Sequence, residues 1–373
     1  MNELAVIHRI LDLARWAPSG DNTQPWRFEI VGPHDVVVHG FDTREHCVYD
    51  LDGHPSQIAL GALIETAAIA ASEYGLRLVS THRASSPEAR PVFDWHFSPS
   101  DSSTRSPLID CIQCRSVQRR PLSTTPLTAS QKQTLESACG DGFEILWLEG
   151  PQARWNTAWL MFHSAKIRLT SPEAYEVHRD IIDWRKQFST SKVPEQALGT
   201  DPMTTRLMEF VMGSWERVRF FNRFLAGTWA PRIQLDLLPS LRCGAHYVLV
   251  AKQQARTLED FVDAGRAMQR FWLTSTHLNL QMQPEITPLV FARYARENRK
   301  FSRETKVIDL AQEVKARLEA LLGTDASNRA VFMGRLGSGP AATSRSLRRP
   351  LEELIITEQV KPSIQQEVCP DLS

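Results

Sequence analysis

The chain has 373 residues, 42% of them hydrophobic, and its 43 basic and 43 acidic side chains cancel at neutral pH. That length buries a sizeable core and leaves room for two domains, while the balanced charge supplies no global field to draw the chain to nucleic acid or an anionic membrane. Any anion site must therefore be local. No apolar run approaches the roughly 20 residues of a membrane span. The N-terminal residues hold Glu3 and lack both a basic and a long apolar stretch, so a cytoplasmic protein is expected. Six scattered cysteines suit reduced, structural thiols.

Leu4, Ile7, Ile10, Leu11 and Ala14 recur at three- and four-residue spacing, which predicts an amphipathic helix. Pro18 ends it, because the ring clashes with the preceding turn and removes a donor. Ser19 to Thr23 follow without a large apolar side chain. Such a run offers backbone N–H groups, hydroxyls and amides to a polar planar ring or a phosphate; the alternative is a capped loop whose Ser and Asn satisfy their own backbone.

Residues 27–31 and 36–40 read as a hairpin around Gly32-Pro33-His34-Asp35. Residues 55–76 read as an alanine-rich helix, apolar on most sides and hence central, with Pro55 at its start and Gly75 near its end. Strand signals at Val79 and 92–97 precede a small, polar stretch at 98–107, which reads as a linker between two halves. Helices are then expected over 128–139, capped by Thr128, and over 152–169, 172–187, 257–280 and 305–322, with strands at 143–148, 246–250 and 330–336. From about 189 to 241 the sequence is irregular, with four prolines around an aromatic helix at 207–225; long insertions of this kind serve as lids or binding elements. The two long helices echo one another, since Gly61 precedes Leu76 and Gly265 precedes Leu280 by the same interval. An internal repeat and two unrelated buried helices both account for this.

Arg115 and Arg119 lie one helical turn apart. Arginine's planar fork makes two charge-assisted hydrogen bonds to a phosphate, so the pair suits one shared anion; two solvated arginines are the alternative. Cys111-Ile112-Gln113-Cys114 lacks the second ligand pair that zinc requires, no His-Glu-x-x-His, P-loop or nucleophile elbow occurs, and no metal is expected. Trp215, Trp229 and Trp272 are candidates to stack on a flat ligand, with core packing the alternative.

The string Ala17-Pro18-Ser19-Gly20-Asp21-Asn22-Thr23-Gln24-Pro25-Trp26-Arg27-Phe28 resembles the signature of the FMN-dependent nitroreductase superfamily. Arg115-Ser116-Val117-Gln118-Arg119 resembles that family's Arg-x-Ser/Thr-x-Arg phosphate motif, with Val117 at the hydroxyl position, Ser116 one place early and Leu122 where Phe is usual. Arg348-Arg349-Pro350-Leu351 resembles the terminal segment of members with two halves in one chain. The resemblance implies an α+β nitroreductase-like fold, with halves at 1–100 and 108–352 forming an intramolecular pseudo-dimer, a lid insertion at about 189–241 and a tail at 353–373. It implies FMN near Pro18, Ser19, Gly20, Asn22 and Gln24, its phosphate on Arg115, Ser116, Arg119 and Arg348 or Arg349. Each half carries one of the two complementary motifs, since Ala138-Cys139-Gly140-Asp141-Gly142 stands where a second loop belongs, so one intact and one degenerate site are expected. NAD(P)H is the implied reductant, with a nitroaromatic, a quinone or a biosynthetic intermediate as acceptor. The alternatives are a protein that shelters FMN without turnover and a flavin-dependent dehydrogenase. In each case the partner is a small molecule, with no nucleic acid or membrane, and the state monomeric or homodimeric.

Overall fold

The computed structural model describes residues 3–101, 104–224 and 227–356; the expected tail beyond 356 lies outside them. Helix α1 (Glu3–Ala14) buries Ile7, Ile10, Leu11 and Ala14, the face its spacing predicts. Strands β1 (Trp26–Ile30) and β2 (Asp35–Gly40) form the expected hairpin. Helix α2 (His54–Ala71) is buried on nearly all sides, and the turn after it closes at Gly75 with φ 65°, a left-handed conformation that glycine adopts without a Cβ clash. Strands β3 (Leu76–His82) and β4 (Val92–Pro99) follow.

The second stretch opens with α3 (Ala129–Cys139), whose Thr128 and Gln131 form a capping box, and β5 (Phe143–Leu148). Helices α4 (Gly150–Thr170), α5 (Pro172–Ile181), α6 (Pro202–Val211) and α7 (Trp215–Phe224) intervene. Then come β6 (Ala245–Ala251), α8 (Leu258–His277), β7 (Gln281–Pro284), α9 (Thr287–Arg296), α10 (Thr305–Leu322) and β8 (Ala330–Gly337). The helix expected over 172–187 stops at Ile181, and the one expected over 207–225 is two helices separated by Met212-Gly213-Ser214. Strand β7 and helix α9 lie where no element was expected; β7 is only four residues long, ends in proline, and is held by its partner β8.

The two antiparallel sheets have the orders β1-β2-β4-β3 and β5-β6-β8-β7. The order helix, strand, strand, helix, strand, strand thus occurs twice, the second time with helical insertions. Helices α2 and α8 meet where neither has a side chain: a Cβ on Gly61 would lie 1.9 Å from the Val262 carbonyl oxygen, and one on Gly265 2.0 Å from that of Ile58. The contact is reciprocal, each glycine meeting the residue three before the other. One apolar core includes α2, α8 and residues of both sheets, so the two stretches do not fold around separate cores. A second core, built from α4, α5, α9 and α10, covers the other face of the second sheet, which is why every residue of β6 is buried. Among the described residues no helix is long and apolar enough to cross a membrane.

Residues 353–356, which the expected tail included, pack into the fold. Leu354 is fully buried, and the Ile356 N–H donates to the Phe28 carbonyl at 2.7 Å, so the last described residues pair with β1.

Because the atom facing Gly265 is backbone, Gly265→Ala cannot be absorbed by a side-chain rotation. It should destabilise the protein by about 3 kcal/mol or more, whereas Gly142→Ala, with nothing within 4 Å of its Cβ position, should stay within about 0.5 kcal/mol. Denaturant unfolding of the two variants checks this; equal midpoints would remove the close contact.

Candidate functional site

A cavity of 260 Å³ opens between the loop after α1, the first turns of α2, the middle of α8, residues 115–119 and the returning segment 344–348. Pro18, Ser19, Gly20, Asn22, Arg115, Ser116, Arg119 and Arg348 all line it, although they come from three distant parts of the chain. Gln24 and Arg349 do not. Gln24 is fully buried and braces the loop: its amide nitrogen donates to the Asn22 and Thr190 carbonyls at 3.1 and 2.8 Å, and its side-chain oxygen accepts the Arg349 N–H at 2.9 Å. The Arg349 side chain points instead toward Glu353, 3.5 Å away.

The loop is held in an unfavourable backbone conformation. Asp21, Asn22 and Gln24 have φ of 50°, 64° and 52°, the left-handed region in which a side chain is strained. Gly20, in contrast, is not in that region, and a Cβ there would meet nothing within 4 Å. The cross-links supply the restraint. Ser19 Oγ accepts the Gln24 N–H at 2.9 Å. Asn22 is spanned by protein groups, its Oδ1 accepting from Arg348 Nη1 at 2.9 Å and its amide donating to the Lys192 carbonyl at 3.3 Å.

The arginines do not group as the sequence pairs them. Arg115 gathers with Arg345 and Arg348: burial and these two neighbouring charges hold its pKa well below the ordinary value. Burial, then Arg345 and Arg15, depress Arg348 to about 9. Each grips carbonyl oxygens rather than carboxylates. Arg115 Nη2 donates to Trp16 at 2.9 Å, Arg348 Nε to Ala17 at 2.9 Å and Arg345 Nη2 to Gln113 at 2.6 Å. Arg115 also lies 4.4 Å over the Trp272 ring, and Arg345 5.2 Å over that of Trp16. Arg115 Nε is buried without a partner. Arg119 belongs to the other side, where burial lowers its pKa to about 10 against the pull of Asp21; burial in turn raises that of Asp21. Asp21 is the only carboxylate among the described lining residues.

Arg345 was not among the expected site residues, although it stands three residues before Arg348. The Arg-x-x-Arg spacing of 345 and 348 is the signal that could have found it. The segment expected as a lid meets the cavity near its start. Of residues 189–241, Val193 and Ala197 line the cavity, while Met203 and Phe224 in α6 and α7 are 79% and 64% exposed. Trp272 lines the cavity and Trp215 and Trp229 do not; they pack on Tyr175 and Phe162. Among the described residues no cluster of His, Cys, Asp or Glu could hold a metal.

Behind residues 118–120 stands a buried ionic brace. Arg335, 1% exposed, donates to the Arg119 carbonyl at 2.7 Å and lies 3.5 Å from Glu285. Glu285 meets His246 Nδ1 at 2.7 Å, and His246 Nε2 meets the Ser240 carbonyl at 2.8 Å. Both ring nitrogens face acceptors, so both must donate and the ring is the imidazolium.

No protein-family model and no curated protein matches this chain. Solved structures similar to it include an FMN-bound nitroreductase from Bacteroides fragilis, at 9% identity over 63% of this chain and 89% of the other, with a TM-score of 0.35. Nitroreductase A from Vibrio parahaemolyticus is 12% identical over 71% and 82%, TM-score 0.36. An FMN-dependent nitroreductase from Mycobacterium smegmatis in complex with NADPH is 13% identical over 66% and 96%, TM-score 0.31.

Burial alone would lower the pKa of His246; Glu285 outweighs it and raises the value from 6.5 to about 10. A raised folded-state value stabilises most below 6.5 and loses that contribution as pH climbs toward about 10. The unfolding free energy should therefore fall over this window in the wild type and fall less in Glu285→Gln. Parallel pH profiles would show that His246 is not held charged.

Proposed function

We propose that this cavity binds FMN and that the chain is a flavin-dependent oxidoreductase of the nitroreductase type, its two stretches forming a pseudo-dimer with one working site. The observation that carries this reading is the convergence of Arg115, Arg345 and Arg348, mutually repelling and without an ion-pair partner among the described residues, beside the Pro18–Asn22 loop. Three guanidiniums gathered without a carboxylate call for an anion, and the unpartnered Nε of Arg115 fits a phosphate oxygen. Away from this cluster the lining is apolar, with Pro55, Ile58, Ala59, Met268, Trp272, Ile286 and Phe332; such walls suit a flat ring and keep water from it.

Bound FMN would supply hydride chemistry between NAD(P)H and an electron-poor acceptor. The chain's own part is to clamp the phosphate, to hold Ser19 and Gly20 against the ligand through the strained loop, and to limit solvent access with the rim at Val193 and Ala197. Arg119 and Asp21 offer a charged pair on the opposite side, suited to the polar edge of a ring or to an acceptor.

The repeated order of elements and the reciprocal glycine contact support the pseudo-dimer. A single site is supported by what occupies the corresponding position after α3. There Arg270 donates to the Ala138 and Cys139 carbonyls at 2.8 and 2.9 Å, much as Arg348 grips Ala17, but it also pairs with Glu65 at 2.9 Å. Arg266 meets the same carboxylate at 3.0 Å. The charge is answered within the protein, and no anion is required.

Purified protein should carry one FMN per chain and oxidise NAD(P)H when an acceptor is present. Arg115→Ala and Arg348→Ala should each weaken FMN by about tenfold to a hundredfold, the equivalent of losing one charge-assisted contact of about 1.5–3 kcal/mol, while changing riboflavin little. Arg349→Ala should alter neither. Flavin fluorescence titration reads all three; equal losses for FMN and riboflavin, or two flavins per chain, would overturn the assignment.

A further inference from the structure

A second cavity, of 530 Å³, lies back to back with the first across the start of α2 and of β8: His54 and Val331 line it where Pro55 and Phe332 line the other. Five arginines and three carboxylates line it, and a fourth carboxylate, Asp42, holds Arg44 from just outside the lining, which leaves a surplus of one positive charge. The pairing within it is incomplete. Arg293 Nε holds Asp52 at 2.6 Å, Arg44 holds Asp42 at 2.6 Å and reaches Glu88 at 3.5 Å, and Arg299 reaches Glu297 at 3.3 Å. Arg256 and Arg296 face the same space with no ion-pair partner among the described residues; Arg256 donates to Gln254 at 3.4 Å, and Arg296 to the side chain of Asn328. Nη2 of Arg293 is also buried without a hydrogen-bond partner, while His54 Nδ1 lies 3.4 Å from Asp52. Stacked on Phe261 at 3.6 Å, His54 stays uncharged, since burial and the nearby arginines lower its pKa to about 3.

We propose that this second cavity binds a small phosphate-bearing anion, held by Arg293, Arg296 and Arg256. Two guanidiniums without an ion-pair partner among the described residues, Arg256 and Arg296, suit the several oxygens of a phosphate better than the two of a carboxylate. Guanidinium forks suit tetrahedral phosphate oxygens, and an anion between Arg256 and Arg296 gains charge-assisted hydrogen bonds that no carboxylate now supplies to them. The site stands apart from the flavin reading, because it shares no lining residue with the first cavity.

The test is calorimetric titration of the full chain, with and without FMN, using inorganic pyrophosphate against chloride at matched ionic strength. Pyrophosphate should bind the wild type, and Arg296→Ala and the exposed Arg256→Gln should each weaken it by about tenfold or more, whereas Arg348→Ala should leave it unchanged. Adenosine diphosphate beside pyrophosphate separates the sources: tighter nucleotide binding assigns a nucleotide, equal or weaker binding the free anion. No binding to the wild type, binding indifferent to both cavity substitutions, or binding abolished by Arg348→Ala would each overturn the proposal. Because Arg256→Gln changes an exposed side chain, a folding failure of the Arg296 variant does not spoil the test.

Discussion

The reciprocal approach of α2 and α8 at Gly61 and Gly265 is the constraint on which the rest of the structure depends. With a carbonyl oxygen of the other helix 1.9 to 2.0 Å from where each missing Cβ would stand, any larger residue would push the helices apart and open the core they share. The close approach also makes the polar contacts beyond it possible, such as the buried hydrogen bond from Gln269 to Thr66 at 2.9 Å. The candidate site inherits this geometry. Ile58 and Ala59 of α2 and Met268 and Trp272 of α8 line a single cavity only because the helices cross at these glycines, and a shift of an ångström there would alter the separation of its walls.

Onto this rigid floor the chain returns twice, and electrostatics sets the terms of the return. Burying Arg115, Arg345 and Arg348 is unfavourable: burial lowers all three pKa values, and neighbouring arginines lower those of Arg115 and Arg348 further. Three left-handed residues in the facing loop add about 1–2 kcal/mol of strain each. Opposing this are the carbonyl contacts of the arginines and the six hydrogen bonds of Ser19, Asn22 and Gln24 described above, each contributing about 1 kcal/mol. These terms are of similar size. The loop is therefore held by its neighbours rather than by its own preference, as expected where backbone strain maintains a binding geometry.

Much of the framework was legible in the sequence because it is local. Alternation and three-to-four spacing marked α1, the first hairpin, α2, α8, α10 and β8 nearly to their ends, and the Thr128 cap placed the start of α3. What stayed hidden is non-local. Strand β7 is too short for its alternation to stand out beside the long helix that precedes it, and it is held in register by β8. The aromatic content of α6 and α7 suggested a cover for the cleft, yet periodicity along a helix says which residues share a face and not where that face points. Composition likewise could not tell Arg348 from Arg349. The difference is one of direction: consecutive residues in extended chain point to opposite sides, and pairing near residues 345–346 with Phe188 and Ser189 turns one guanidinium inward and the other toward Glu353.

The same directional logic explains how one sequence pattern, used twice, ends in two different chemistries. After α1 and after α3 the helix leaves carbonyl oxygens unsatisfied, and in both places an arginine from a distant segment answers them, Arg348 in one case and Arg270 in the other. Up to this point the two ends are equivalent. What separates them is a single carboxylate, Glu65, which lies on α2 within reach of Arg270 and Arg266, whereas none of the described residues near Arg348 plays that part. An arginine paired internally is electrostatically complete and leaves no reason for a cavity to persist beside it. One that is buried, crowded by like charges and bonded only to neutral oxygens keeps most of its attraction for an anion. Function in this chain thus depends as much on where a negative charge has been withheld as on where positive charge has been placed.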